Sequence, residues 1–181
     1  MNFKEWLGQE IKTKINETDN LIEVSYVDQN IKGYIHAEKD NENPKIYRVN
    51  RVSVTPTGQG YGKKLYLIAL NIATKKGAML APAKLATSDS ALNIWKSLYK
   101  SSYIKKIPLS AKDWGTGPRH ERVTKKYPNL RYRDISTYPP KEDLDFWILN
   151  SGYISDGSID NTQLNLKLPH DDLGALADQF K

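Results

Sequence analysis

The chain has 181 residues, no cysteine and a formal charge of +6. That length suffices for one domain with a true hydrophobic core, and the lack of cysteine excludes both a disulfide scaffold and a thiol nucleophile. No apolar run approaches a membrane span, and Met1 to Asn16 is too charged for a signal peptide, so the expectation is a soluble, cytoplasmic protein.

Phe3, Trp6, Leu7, Ile11 and Ile15 fall near one helical face, which predicts an amphipathic helix over residues 2–16, weakened by Gly8. Strand-like runs follow at Leu21 to Val27 and Ile31 to Ala37, joined by a turn at Asp28-Gln29-Asn30. A polar loop at Asp40 to Pro44 then leads into a further strand from Ile46 to Thr55. Together these make an antiparallel meander. Its last strand runs into Gly58, Gly60 and Gly62, three glycines that open directly into a helical pattern. Without Cβ atoms such a turn takes positive φ, so its N–H groups converge on phosphate oxygens at the positive end of a helix.

The helix continues through Leu65, Ile68, Ala69, Ile72 and Ala73 and ends at Lys75-Lys76-Gly77. Ala78 to Ala81 reads as a short strand, Ser88 to Tyr99 as a second helix capped by Ser88 or Asp89, and Tyr103 to Pro108 as another strand. Beyond Pro108 the predicted elements are a strand at Asp145 to Leu149, an alternating strand at Leu164 to Leu168 and a closing helix at Asp171 to Phe180. Charge divides this tail. Between Lys112 and Arg133 seven Lys or Arg stand against two acids, interleaved with Trp114, His120, Tyr127 and Tyr132, whereas from Asp134 three Lys stand against nine acids. The basic-aromatic stretch is a candidate surface for a protein or nucleic-acid partner.

The glycine turn is neither a P-loop nor a dinucleotide fingerprint. Thr57 and Lys64 occupy the first-glycine and Ser/Thr positions of the former, and Lys63 or Leu65 occupies the third-glycine position of the latter. Thr57-Gly58-Gln59-Gly60-Tyr61-Gly62 instead resembles the pyrophosphate-binding motif [RQ]-x-x-G-x-[GA] of GNAT-type acyl-CoA N-acyltransferases, departing from it only at Thr57. The second helix is similar too: Ser88-x-x-Ala91-x-x-Ile94-Trp95 lies on that family's N-x-x-A-x-x-[LF]-Y frame, in a form that resembles acetyltransferase-like proteins of bacteriophages. The resemblance covers about residues 1–110 and is most specific over 46–100.

The resemblance implies an α+β fold, with a mixed, mostly antiparallel twisted sheet flanked by helices. Residues 1–110 would form the acyl-CoA-binding core and residues 111–181 a C-terminal extension that completes the sheet or packs on it. It implies transfer of an acetyl group from acetyl-CoA to an amine by direct attack, with the thioester between two splayed strands, and no metal. Val52, Val54, Gln59, Gly60, Tyr61, Gly62 and Lys63 would hold the cofactor. Many relatives keep a tyrosine acid where this chain has Trp95, which leaves Tyr99, one turn on, and Ser88 as candidate proton donors beside their plainer roles in core packing and capping. Glu23, His36 and Glu38 are candidate bases on strands, where single ionisable residues more often face solvent. His120 and His170 share no ligand spacing, which argues against zinc. The alternatives are a GNAT-fold binding or virion-associated protein without turnover, and a nucleic-acid-binding or modifying protein acting through residues 112–133. If viral, it would work in the host cytoplasm.

Overall fold

The computed structural model describes residues 11–27, 30–116, 144–159 and 166–167. Strands β1 (Ile11–Glu17), β2 (Leu21–Tyr26), β3 (Lys32–Lys39) and β4 (Ile46–Thr55) form the meander. They are followed by α1 (Tyr61–Lys75), β5 (Met79–Pro82), α2 (Asp89–Lys100), β6 (Ile104–Pro108), a 3-10 turn (Ala111–Asp113), α3 (Leu144–Leu149), β7 (Ser151–Ser155) and β8 (Leu166–Lys167). All eight strands join one sheet in the order β6-β7-β5-β4-β3-β2-β1-β8. Only β4 with β5 and β1 with β8 are parallel among these pairs. The protein is therefore of mixed α+β class with a mostly antiparallel sheet. β7, from the tail, inserts between β5 and β6 and pairs antiparallel with both.

Two sequence expectations change, and one strand was not expected. Residues 11–16, assigned to a first helix, lie in β1, while residues 2–10 fall outside the described segments. Ile11 and Ile15 are four apart, a spacing that satisfies a period of two as well as 3.6. The intervening Lys12, Thr13 and Lys14 alternate exposed, buried, exposed, and pairing with β2 decides the outcome. Asp145 to Leu149, expected as a strand, is helical: Phe146, Ile148 and Leu149 are buried, and the Asn150 N–H donates to the Phe146 carbonyl at 3.0 Å. A five-residue apolar run carries no period that separates the two states. The strand comes directly after it, as β7, where Ser151-Gly152-Tyr153 gave no strand pattern. Of the run Leu164 to Leu168, Leu166–Lys167 is strand; the predicted helix at 171–180 lies outside the described residues. Among the described residues no helix is long and apolar enough to cross a membrane.

α1 crosses one face of the sheet, where Leu65, Ile68 and Ala69 meet Ile22, Val24, Ile35 and Ala37 in the main core. At its far side Trp95 of α2 meets Tyr66 edge-to-face, at 5.0 Å between ring centroids, and Tyr153 of β7 at a tilt, at 4.8 Å. Such ring pairs add about 0.5–1.5 kcal/mol each beyond the area they bury. A smaller cluster, containing Ile46, Ala81, Leu109, Trp114 and Phe146, packs elsewhere. Trp114 is thus buried, its indole N–H donating to the Leu109 carbonyl at 2.9 Å, and does not belong to a surface stripe. Residues 117–133 of the basic-aromatic stretch, His120 among them, lie outside the described residues.

One buried ion pair ties the end of the meander to the loop after β5. Arg48 donates from Nε to Asp40 Oδ2 at 2.9 Å and from Nη1 to the Pro82 carbonyl at 3.2 Å, and it reaches the Asp113 carbonyl through Nη2. Lys84 Nζ stands 3.2 Å from the same carboxylate. Burial pushes the Asp40 pKa up, but hydrogen bonds from Arg48, the Glu42 amide and Lys84 outweigh it and bring the value down to about 2. A carboxylate whose pKa is lower folded than unfolded contributes stability that is fully present above its unfolded value. That contribution should disappear as pH falls from about 4 through about 2. Melting temperature followed against pH should show this step, and Asp40→Asn should flatten it.

Candidate functional site

β4 and β5 pair in register only from Ile46 with Met79 to Val49 with Pro82. β4 then runs on to Thr55 while β5 stops, so the two strands splay. Into the opening come the glycine turn, the first turn of α1, the loop after β5 and the start of α2, which together line a cleft of about 850 Å³. Val52 pairs with Ile35 and Val54 with Gly33, on the α1 face; Arg51 pairs with His36 and Ser53 with Tyr34, on the opposite face. All four β4 residues line the cleft. The cleft therefore wraps around the free edge of β4 and reaches both sides of the sheet.

The glycine turn ends in a left-handed N-cap. Gly58 has φ of 78° and Gly60 of 82°, backbone that side-chain-bearing residues rarely adopt. The first helical bond runs from the Lys64 N–H to the Gly60 carbonyl at 3.2 Å. The amides of Gly62 and Lys63 precede it, and α1 has neither a side-chain cap nor an acid in its first turn. α2 is the reverse: Ser88 Oγ accepts from the Ala91 N–H at 3.2 Å and Asp89 sits in its first turn. Among the described residues the N-terminal positive end of α1 beside the cleft thus has neither a capping side chain nor a first-turn acid. Gly62 has a different task. A Cβ there would stand 3.2 Å from Ile94 Cδ1 and 3.9 Å from Val54 Cγ2, so its absence lets α1 approach α2 and β4. The turn is anchored from below by Tyr26, whose hydroxyl donates to the Tyr61 carbonyl at 2.6 Å.

Of the residues assigned to the cofactor, Val52, Val54, Gly60, Tyr61, Gly62 and Lys63 line the cleft; Gln59 is not among its lining residues. Ser88 lines it as well. Tyr99 does not: its ring packs against the main core, with Lys106 Nζ 5.9 Å from the ring centroid. The opposite wall, Ala83, Ala86, Thr87, Ser90 and Asn93, escaped the sequence reading. The signal available for it was the small residues Ala83, Ala86, Thr87 and Ser88 on either side of Lys84-Leu85, which leave room where larger side chains would close the gap.

Glu23, His36 and Glu38, weighed separately as bases, form one array on the face away from α1. His36 Nδ1 is 2.9 Å from Glu23 Oε1 and Nε2 is 2.8 Å from Glu38 Oε1. Asn16 donates to the second oxygen of Glu23 at 3.0 Å, and Asn50 to that of Glu38 at 2.8 Å. Both ring nitrogens thus face acceptor-only groups, which only the imidazolium satisfies fully. The hydrogen bond with Glu38, opposed by burial and helped by Glu23, raises the His36 pKa above its usual value; the same hydrogen bonds lower those of Glu23 and Glu38. Among the described residues no group of three or more His, Cys, Asp or Glu could hold a metal ion.

Compared with known proteins, the chain matches no family model, no curated protein and no solved structure.

Proposed function

We propose that the protein is an acyl-CoA-dependent N-acyltransferase of GNAT type that moves an acetyl group from acetyl-CoA to an amine. The observation that carries this reading is the coincidence of two features. The uncapped, glycine-led N-terminus of α1 opens into the wedge where β4 and β5 part. A phosphorylated ligand with a long polar arm fits both. Its pyrophosphate would sit on the Gly62 and Lys63 amides, with the Lys63 ammonium beside it. From Thr55 back to Asn50 the strand spans about 17 Å, comparable with an extended pantetheine arm. The β5-facing edge of that stretch has no strand partner among the described residues, so its backbone groups would pair with the two amides of the arm. The thioester then falls near the vertex, by Val49 and Asn50.

In this reading the chain acts by positioning. The amides hold the phosphates, the strand edge aligns the arm, and the amine attacks the carbonyl carbon within a cleft that leaves it little freedom. With Tyr99 packed away from the cleft, the departing thiolate takes its proton from Ser88 or from solvent. Calorimetric titration of the purified protein with acetyl-CoA should give saturable one-to-one binding. Ligand at 100 times its Kd should stabilise the fold by about 2.7 kcal/mol. No heat at millimolar acetyl-CoA would overturn the reading. One observation favours a second reading, a binding protein of the same fold without turnover: no Asp, Glu or His is among the described residues that line the cleft. Thiol release in the presence of amines separates the two.

A further inference from the structure

An amine acceptor is an ammonium ion near neutral pH and must lose a proton before its nitrogen can attack. With no carboxylate or imidazole among the described residues of the cleft wall, that proton finds its nearest described destination just outside it. Among the lining side chains Asn50 leads to one, through its 2.8 Å hydrogen bond to Glu38. Its position is set by the sheet. Opposite β3 the register shifts between His36 and Ala37, which pair with Arg51 and Val49, so Asn50 is the bulged residue. Val49 is also the last β4 residue paired with β5. The bulge therefore places Asn50, and Glu38 behind it, at the vertex of the splay, on the face away from α1.

We propose that Glu38 is the proton acceptor for the attacking amine and that His36 and Glu23 are positioning residues that relay and hold the charge, the acceptor entering from the face of the sheet away from α1. This rests on the acyltransferase reading and assigns its missing base. In the step, an N–H bond of the ammonium breaks and its proton passes to Glu38 and on to His36. The freed nitrogen bonds to the thioester carbon and loses a second proton to solvent as the amide forms, while the C–S bond breaks and the thiolate leaves and takes a proton from solvent. His36 then returns its proton to water. The Glu38 side chain, 55% exposed, is open to solvent for that return.

The array has other charged neighbours. Lys14 on β1 acts on Glu23 and Arg51 on β4 acts on Glu38, so the trio is neutralised on both flanks and is not a simple acidic patch. Glu38 can take a proton productively once His36 is neutral. kcat/KM for an ammonium acceptor should therefore rise with pH through an inflection above the ordinary imidazole value of about 6.5.

The experiment measures thiol release from acetyl-CoA with a panel of alkyl primary amines and with hydroxylamine, which is neutral at pH 7, for the wild type, Glu38→Gln and His36→Asn. Acetyl-CoA affinity and melting temperature serve as controls for folding. With alkyl amines, Glu38→Gln should lose about 100-fold in kcat/KM and move the inflection down, because its hydrogen bond is the main support of the His36 charge. His36→Asn should abolish the inflection. With hydroxylamine, which needs no deprotonation before attack, both variants should lose far less than with alkyl amines. If the wild type turns over and both variants keep its rate and pH profile, the inference is overturned while the acyltransferase reading stands. If the wild type binds acetyl-CoA but no amine releases thiol, the inference falls and the binding-protein reading replaces turnover. If acetyl-CoA does not bind, the acyltransferase reading itself has failed.

Discussion

Gly60→Val should abolish measurable acetyl-CoA binding while leaving a folded protein. Gly60 sits at φ 82° with open space where its Cβ would be, so a side chain there does not collide with the protein. It strains the backbone by about 1–3 kcal/mol and fills the space in front of the first-turn amides. Hydrogen bonds to charged groups contribute about 1.5–3 kcal/mol each. Losing two of them to a pyrophosphate lowers affinity by about a hundredfold or more. Gly157 supplies the control, since it has φ of 92°, equally open surroundings and no part in lining the cleft. Gly157→Val should cost similar stability and leave binding intact. Paired calorimetry and denaturant unfolding of the two variants would decide the matter, and equal affinity in both would remove the phosphate cradle.

The second large effect concerns stability. Arg48→Met should destabilise the fold by about 3–5 kcal/mol, because it strips a buried carboxylate of its main partner rather than removing a pair. The Arg48 and Asp40 side chains are 6% and 3% exposed, and Arg48 also satisfies two backbone carbonyls that no longer have it as a donor. In a chain of this size the loss corresponds to about 10 °C in melting temperature. Adding Asp40→Leu should restore much of it, since the stranded charge then goes as well. A loss below about 1 kcal/mol on urea unfolding would instead put the pair in the class of exposed ion pairs.

The parts of the fold that depend on near neighbours in sequence were legible. Leu65, Ile68, Ala69 and Ile72 repeat at helical spacing, Ser88 precedes a helix that it caps, and the β-branched Val52, Val54 and Thr55 lead into the glycines, so turn and flanking elements follow from local chemistry. β1 was missed because Ile11 and Ile15 suit two periods at once, and only the neighbouring strand chooses between them. β7 was missed because its content, Ser-Gly-Tyr-Ile-Ser, is dictated by the gap it fills. A Cβ on Gly152 would stand 2.6 Å from the Met79 sulfur. The same division runs through the site. The glycine turn is a contiguous motif and was readable. The Glu23–His36–Glu38 array was not, because Glu23 meets His36 only through the register of β2 on β3. Of its contacts, only the shared face of His36 and Glu38, two residues apart on one strand, is a property of the sequence itself.

The position of β7 also bears on how the molecule is made. β6 is synthesised before its described partner, and the second edge of β5 waits for that same strand, so a chain growing on the ribosome presents two unsatisfied strand edges until residues 151–155 have emerged. Any stall in that interval offers another chain a surface for edge-to-edge pairing. Lys105, Lys106 and Pro108 on the waiting strand β6 are the residue types that discourage such pairing. Their placement suits the nascent polypeptide at its most exposed stage; once β7 is in place, β6 is without a strand partner among the described residues only along its outer side.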